Sequence, residues 1–150
     1  MFQRRSSAKV IGTLDYVSFP KLNLPTTLAK IDTGAFSGAL HCTDIRVVVR
    51  GKDRQRVLKF TPLGVKKYAT ETTDFQSTYV RSSTGHRVRR HIITTIMEWN
   101  GREYPITIGL SNRNLMKREV LIGRRFLREH DIKIDTRIHQ ELDDEGELTQ

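Results

Sequence analysis

The chain has 150 residues, of which 37% are hydrophobic and 29% are charged, and its formal net charge is +9. This length provides one hydrophobic core and is too short for two large ones. No apolar run reaches membrane-spanning length, and no apolar signal core follows the basic residues near the N-terminus. We therefore expect a cytoplasmic protein without a membrane partner.

Short β-rich segments with turn residues between them follow one another along the chain. Residues 9–19 predict a strand pair, and residues 26–31 predict a strand that ends at Asp32. Residues 45–60 predict a hairpin that turns at 51–53, and residues 77–92 predict a second hairpin with 82–85 at its tip. Residues 91–110 predict a third, because Asn100-Gly101 separates two alternating apolar runs. Residues 123–131 predict one short helix.

These elements predict an all-β barrel or sandwich with one short C-terminal helix and no second domain. We assign residues 1–140 to this single domain. Residues 141–150 are polar and acidic and are expected to form a disordered tail. The rest of the chain then has 26 basic and 12 acidic residues, a net charge of +14. A body this basic favours an acidic partner, although a solvated surface is the simpler interpretation.

The cysteine and histidine content limits metal chemistry. Cys42 is the sole cysteine, which excludes an internal disulfide and a multi-cysteine zinc site, and we expect it to be a small buried residue. The histidines are scattered, and the sequence contains neither a Gly-x-x-x-x-Gly-Lys-Ser/Thr motif nor a His-Glu-x-x-His motif. We therefore predict no metal site and no cofactor.

The stretch "KIDTGAFSGALH", residues 30–41, places a carboxylate directly after a predicted strand. A carboxylate that activates water must be held rigidly and partly desolvated. Gly34 allows a sharp turn of the backbone, and the hydroxyl of Thr33 can fix the loop by hydrogen bonding. On its own, Asp32-Thr33-Gly34 fits an ordinary turn at the end of a strand as well as it fits a catalytic loop.

A second segment late in the chain changes this balance. In "VLIGRRFL", residues 120–127, three apolar residues precede Gly123 and Arg124, which open the predicted helix. Together with the Asp-Thr-Gly-Ala stretch, this segment resembles the retropepsin-like aspartic proteases, and the resemblance implies an acid-protease barrel. The site residues that it implies are catalytic Asp32, Thr33 and Gly34, substrate-binding Ala35, and supporting Ile122, Gly123 and Arg124.

The sequence is most similar to a bacterial branch of that fold, on the motifs "DTGAFSGALH", "VRSSTGH", "SNRNLM" and "VLIGRRFL". Members of this branch are often labelled ATP-dependent zinc proteases, and their genes accompany ATP-grasp ligases that add glutamates to protein tails. Two positions depart from the pattern of the branch, because Phe36 replaces a basic residue and Gly38 replaces a serine. In retroviral relatives, an Asp at the Phe36 position pairs with the Arg that follows the late Gly.

The resemblance also identifies residues 79–92 as a flap, a hairpin that closes over substrate and excludes water. The flap is cationic, which suits an acidic peptide, and a solvated edge protected by charge is the alternative. The predicted substrate-binding residues of the flap are Ser83, Thr84, Gly85, His86 and Arg89.

An aspartic protease needs two carboxylates that share a proton, and this chain has a single Asp-Thr-Gly. We therefore predict a homodimer in which Asp32 faces its copy, acting as an endopeptidase on peptides or proteins, including acidic or glutamate-extended ones. Ala35 stands where pepsin-like enzymes have a hydroxyl, which predicts activity in a less acidic range.

Two other functions remain open. One is a basic β-barrel binding module for nucleic acid or acidic peptides, and the other is a zinc-dependent protease. Aromatic residues make up 7% of the chain and form no stacking cluster, so we do not expect nucleic acid as the partner.

Overall fold

The computed structural model describes residues 9–81, 84–114 and 117–143. Its helix α1 spans Arg124–Glu129, residues 140–143 are also helical, and short 3-10 helices span Pro20–Leu22 and Lys66–Tyr68. The strands are β1 (Val10–Ile11), β2 (Leu14–Val17), β3 (Thr27–Ile31), β4 (Ala39–Arg50), β5 (Gln55–Pro62), β6 (Thr70–Thr72), β7 (Phe75–Arg81), β8 (Arg87–Trp99), β9 (Arg102–Ser111), β10 (Val120–Ile122) and β11 (Lys133–Ile134).

Nine of these strands form one mixed sheet in the order β2-β3-β10-β4-β9-β8-β7, and β5 pairs with both β4 and β6. The strand β10, which is late in the chain, lies between the early strands β3 and β4. It runs parallel to β3 and antiparallel to β4. This insertion brings the end of β10 beside the end of β3, where the Asp32 loop begins. The remaining strands, β1 and β11, form a separate parallel pair.

The predicted mostly-β fold is confirmed, but the predicted barrel is wrong because the sheet is not closed. Its end strands β2 and β7 do not pair with each other. Just after β2, Ser18 forms a single bridge with Glu98 of β8, through N–H···O bonds of 3.0 and 2.8 Å. The chain then enters the 3-10 helix at Pro20, so this bridge does not extend into a ladder.

The three predicted hairpins are confirmed as β4–β5, β7–β8 and β8–β9, and the predicted short helix is confirmed as α1. The predicted strand pair at residues 9–19 is wrong. Two strands form there, but β1 pairs with β11 and β2 pairs with β3. The Gly12 N–H donates to Asp15 Oδ2 (3.2 Å) instead of to a hairpin partner, which turns β1 away from β2.

Alternation along β8 and β9 builds much of the core, as a strand period of two requires. Alternate side chains of these strands are buried, and the intervening ones face the other side of the sheet. Full burial of each large apolar side chain contributes about 1.5–3 kcal/mol to folding. The buried apolar residues on these two strands are Ile93, Met97, Trp99, Tyr104, Ile106, Ile108 and Leu110.

Cys42 lies on β4 with no exposed surface, as predicted. Burial raises the pKa of its thiol, so the reactive thiolate is suppressed at neutral pH. We expect the native protein to resist labelling by a soluble disulfide reagent and to react fully once denaturant is added. A colorimetric thiol assay would check this, and complete labelling of the native protein within minutes would contradict the burial.

No helix among the described residues is long and apolar enough to cross a membrane. Residues 141–143, which we predicted to belong to the acidic tail, are helical, and residues 144–150 lie outside the described part.

Candidate active site

The Asp32 loop begins where β3 ends at Ile31. The Asp32 N–H donates to the Ile122 carbonyl on β10 (2.9 Å), which ties the loop to the neighbouring strand. Asp32 Oδ1 accepts the Gly34 N–H (2.9 Å), and the Asp32 carbonyl accepts the Ala35 N–H (3.1 Å). These bonds fix a half-buried carboxylate in a tight turn, while Thr33 and Gly34 are exposed at the surface.

Gly123 lets the end of β10 pack directly against this loop. Its φ of −87° is available to any residue, but a Cβ at this position would come within 2.3 Å of the Phe36 carbonyl oxygen and 2.7 Å of the Ala35 carbonyl oxygen. The same two carbonyls accept the backbone N–H groups of Arg124 and Arg125, each at 2.9 Å. The first turn of α1 is therefore bonded to the second half of the loop.

Gly38, one of the two departures from the bacterial pattern, has a structural reason in this chain. Its φ is +78°, in the left-handed region, and a Cβ there would come within 2.3 Å of the Leu121 carbonyl oxygen. Both the positive φ and the close approach of β10 therefore favour glycine at this position.

Arg124 holds the loop from the other side. Its Nη1 donates to the carbonyl oxygens of Thr33 (3.1 Å) and Gly34 (3.2 Å). Its guanidinium also lies 5.5 Å from the centroid of the Phe36 ring, which is 49% exposed, and that of Arg125 lies 5.7 Å from the same ring. The aromatic face of Phe36 therefore supports Arg124 by a cation–π contact, where retroviral relatives use an ion pair.

We expect Arg124→Leu to lower the free energy of unfolding by about 1 kcal/mol more than Arg125→Leu does. Both variants lose one cation contact with Phe36, but only Arg124 also bonds the Thr33 and Gly34 carbonyls. Arg125 instead pairs with Glu129 at the surface. Urea unfolding of the two variants would measure the difference, and equal losses would show that the carbonyl bonds do not hold the loop.

His41 on β4 and Arg113 connect the strand that follows the Asp32 loop to the segment that follows β9. His41 is buried, and its Nδ1 accepts the Arg113 N–H (2.8 Å), so Nδ1 carries no proton in this arrangement. Arg113 Nε donates to the Arg118 carbonyl (3.0 Å). His41 is therefore a hydrogen-bonded structural residue, and Arg113 is fixed at two points.

Charges converge around the Arg113 side chain. Burial lowers the pKa of this guanidinium, the positive charge of Arg90 lowers it further, and the carboxylate of Asp32 raises it. Arg90 and Asp32 thus both act electrostatically on Arg113, with opposite effects.

The structure separates the predicted substrate-binding residues of the β7–β8 hairpin into two groups, while Ala35 lies in the Asp32 loop. Arg89 lines a cleft of about 260 Å³ at the base of the flap hairpin, beside Ser111 and Asn112 at the end of β9. Thr84, Gly85 and His86 lie exposed at the hairpin tip, where the Gly85 carbonyl accepts a hydrogen bond from Arg81 (3.0 Å). This hydrogen bond joins two residues of the same hairpin. Ser83 lies outside the described residues.

The sequence interpretation missed Arg90 as a neighbour of the Asp32 loop. Strand alternation could have placed Arg90 on the correct face of β8, but only if the pairing of β8 with β9 were already known. Within the described part of the chain, no group of three or more His, Cys, Asp or Glu side chains is arranged to hold a metal ion.

The fold and the braced Asp-Thr-Gly loop define a protein of the retropepsin-like class. The chain belongs to the RimB-like family, because the model of that family, described as "Retropepsin-like aspartic endopeptidase RimB", matches residues 10–141.

Two curated relatives are larger proteins that contain a segment similar to this chain. Proteins named "Probable alpha-L-glutamate ligase" from Desulfotalea psychrophila and Shewanella pealeana are 27% and 24% identical over 119 and 120 residues. Each alignment covers 77% of this chain and 26% of the relative. The chain therefore spans about a quarter of the length of these curated relatives.

A solved structure has the same fold. The crystal structure of Lpg0085 from Legionella pneumophila, described as a protein of unknown function, superposes with a TM-score of 0.63 at 24% identity. The match covers 86% of this chain and 94% of that one. At this identity the likeness establishes the fold alone.

Proposed function

We propose that the protein is an aspartic endopeptidase in which Asp32 activates the water that attacks a peptide bond. The observation that carries this proposal is the bracing of the Asp32 loop by β10 and α1. The Gly34 N–H donates directly to the Asp32 carboxylate, while Arg124 Nη1 and the backbone N–H groups of Asp32 and Arg124 hold the rest of the loop in place. A preorganised carboxylate of this kind is what general base catalysis requires.

We propose that a second copy of the chain supplies the other carboxylate. One Asp of the pair acts as base toward water while the other, protonated, donates to the carbonyl oxygen of the substrate. Because like charges at close range cannot both ionise, the pair titrates as a unit. The exposure of Thr33 and Gly34 leaves the face of the loop accessible to a partner.

The proposed substrate class is acidic peptides, including peptides extended with glutamates. The net charge of +9 and the exposed Arg87 and Arg89 on the flap hairpin support an anionic substrate. The matching segment in proteins named as probable glutamate ligases supports glutamate as the acidic residue concerned.

The test is cleavage of a diverse peptide library that includes polyglutamate-tailed peptides, read by mass spectrometry from mildly acidic to neutral pH, with and without a chelator. We expect cleavage that is indifferent to the chelator and concentrated in acidic peptides. Cleavage that the chelator abolishes would support the zinc-dependent alternative. Binding of acidic peptides or nucleic acid without any cleavage would support the basic binding module and overturn the proposal.

A further inference from the structure

We propose that Arg90 and Arg113 form a carboxylate-binding subsite beside Asp32, which holds a glutamate side chain of the substrate next to the bond to be cleaved. This inference rests on the proposed peptidase function and identifies the residues that select an acidic substrate.

Strand pairing directs Arg90 toward the Asp32 loop. Ile92 of β8 pairs with Gly109 of β9, so Arg90, two residues before Ile92, lies on the same face as Gly109. A Cβ on Gly109 would come within 3.3 Å of Arg90 Cδ and within 3.3 Å of the Gly38 carbonyl oxygen. The glycine thus leaves space in which the stem of Arg90 lies across the sheet, close to the end of the loop that carries Asp32.

Arg113 reaches the same space from the segment between β9 and β10. Its backbone N–H is bonded to the buried His41, and its Nε is bonded to the Arg118 carbonyl. Two anchors on one arginine reduce the conformational entropy that is lost when it binds a ligand. A guanidinium carries donors on all three nitrogens, and the Arg118 bond uses one of them, so its outer edge is suited to a carboxylate.

The charges of Arg90, Arg113 and Asp32 favour the binding of an anion. Arg90 and Arg113 repel each other in a partly desolvated place, and Asp32 is the carboxylate whose charge acts on Arg113. In the proposed mechanism the Asp32 pair retains a proton, so it cannot neutralise both arginines throughout the reaction. A substrate carboxylate placed between them would relieve the repulsion.

The neighbouring cleft has room for a side chain. Arg90 lines this cleft of about 260 Å³, together with Arg89, Ser111 and Asn112. Asn112 immediately precedes Arg113 in the chain, so the backbone of Arg113 continues directly from the lining of the cleft. This lining is mixed, since the arginines, Ser111 and Asn112 suit a carboxylate while Ile45, Val88 and Leu110 suit the apolar stem of a side chain.

The test uses full-length protein with the Asp32→Asn substitution, so that bound peptide is not hydrolysed. Fluorescence anisotropy would measure the Kd of a labelled peptide containing a run of glutamates and of a matched peptide containing glutamines. Both peptides are amidated at the C-terminus, so that only side-chain carboxylates differ. The added variants are Arg90→Gln, Arg113→Gln and Arg113→Lys, with Arg102→Gln as the control, because Arg102 is an exposed arginine at the opposite end of β9.

We expect the glutamate peptide to bind about tenfold more tightly than the glutamine peptide, and Arg90→Gln and Arg113→Gln each to weaken it by about tenfold. Arg113→Lys should retain part of the affinity because it keeps the charge, and Arg102→Gln should retain all of it. The proposal is overturned if Arg90→Gln and Arg113→Gln weaken the glutamate peptide no more than Arg102→Gln does. It is also overturned if a single-stranded oligonucleotide displaces the peptide at a lower concentration than unlabelled peptide does.

Cleavage by the unsubstituted protein separates this proposal from the proposed function. Equal cleavage of both peptides would overturn the proposed subsite and would still support the proposed peptidase function. If neither peptide is cleaved, the proposed peptidase function is overturned. The binding measurements would still decide whether the two arginines bind carboxylates.

Discussion

Asp32→Asn is expected to reduce peptide hydrolysis by about 10⁴-fold, the upper range for loss of a positioned general acid and base. The substitution replaces a proton-accepting carboxylate with an amide that cannot take a proton from water. In the proposed dimer it removes both members of the pair at once. The measurement is kcat/KM on a peptide that the unsubstituted protein cleaves.

The fold should survive this change. The Asp32 oxygen that accepts the Gly34 N–H can be replaced by the amide oxygen of asparagine, so the loop keeps its hydrogen bond. Asp53→Asn is the matched control, because Asp53 is exposed in the turn between β4 and β5. Full activity in Asp53→Asn and its loss in Asp32→Asn, with equal thermal unfolding, would assign the effect to chemistry. Residual activity above a tenth in Asp32→Asn would contradict the assignment.

Gly123→Ala is expected to destabilise the protein by about 3 kcal/mol or more, the upper range for overpacking a close-packed site. The added methyl group would collide with the carbonyl oxygens of Phe36 and Ala35. To relieve the collision, the end of β10 must move away from the loop. That movement would stretch the bonds from the Arg124 and Arg125 N–H groups, so activity should fall together with stability.

The control for this steric effect is Gly101→Ala. Gly101 has a positive φ of +76°, but nothing lies within 4 Å of the position that its Cβ would take. Its substitution should therefore cost only the backbone strain of alanine in the left-handed region, about 1–2 kcal/mol. Denaturant unfolding of the two variants compares the loss of stability from the steric collision at Gly123 with the loss from backbone strain at Gly101. A Gly123→Ala variant as stable as Gly101→Ala would show that β10 does not brace the loop.

Local sequence signals were sufficient for the hairpins, the short helix and the burial of Cys42. Asn100-Gly101 fixes the β8–β9 turn because both residues adopt positive φ there, and the alternating runs on each side fix which faces are buried. The proximity of Asp32 and Gly123 followed from the family resemblance, since nothing local in either segment indicates that β10 inserts beside β3.

Long-range pairing accounts for what the sequence did not predict. The pairing of β1 with β11 and the open end of the sheet at β2 depend on strands of two to four residues, too short for their pattern to specify a partner. The cation–π contact of Arg124 with Phe36 could not be predicted from the sequence, because it depends on α1 folding back onto the loop. The approach of Arg90 to Gly109 depends on the β8–β9 register.

In the proposed dimer, one active site uses Asp32 from two copies of this chain. The most direct measurement mixes unsubstituted protein with Asp32→Asn protein at constant total concentration, allows the subunits to exchange, and follows peptide cleavage. If both carboxylates are required, activity falls as the square of the unsubstituted fraction, to about one quarter in an equal mixture. A linear fall, to about one half, would show that each chain acts alone and would contradict the shared site.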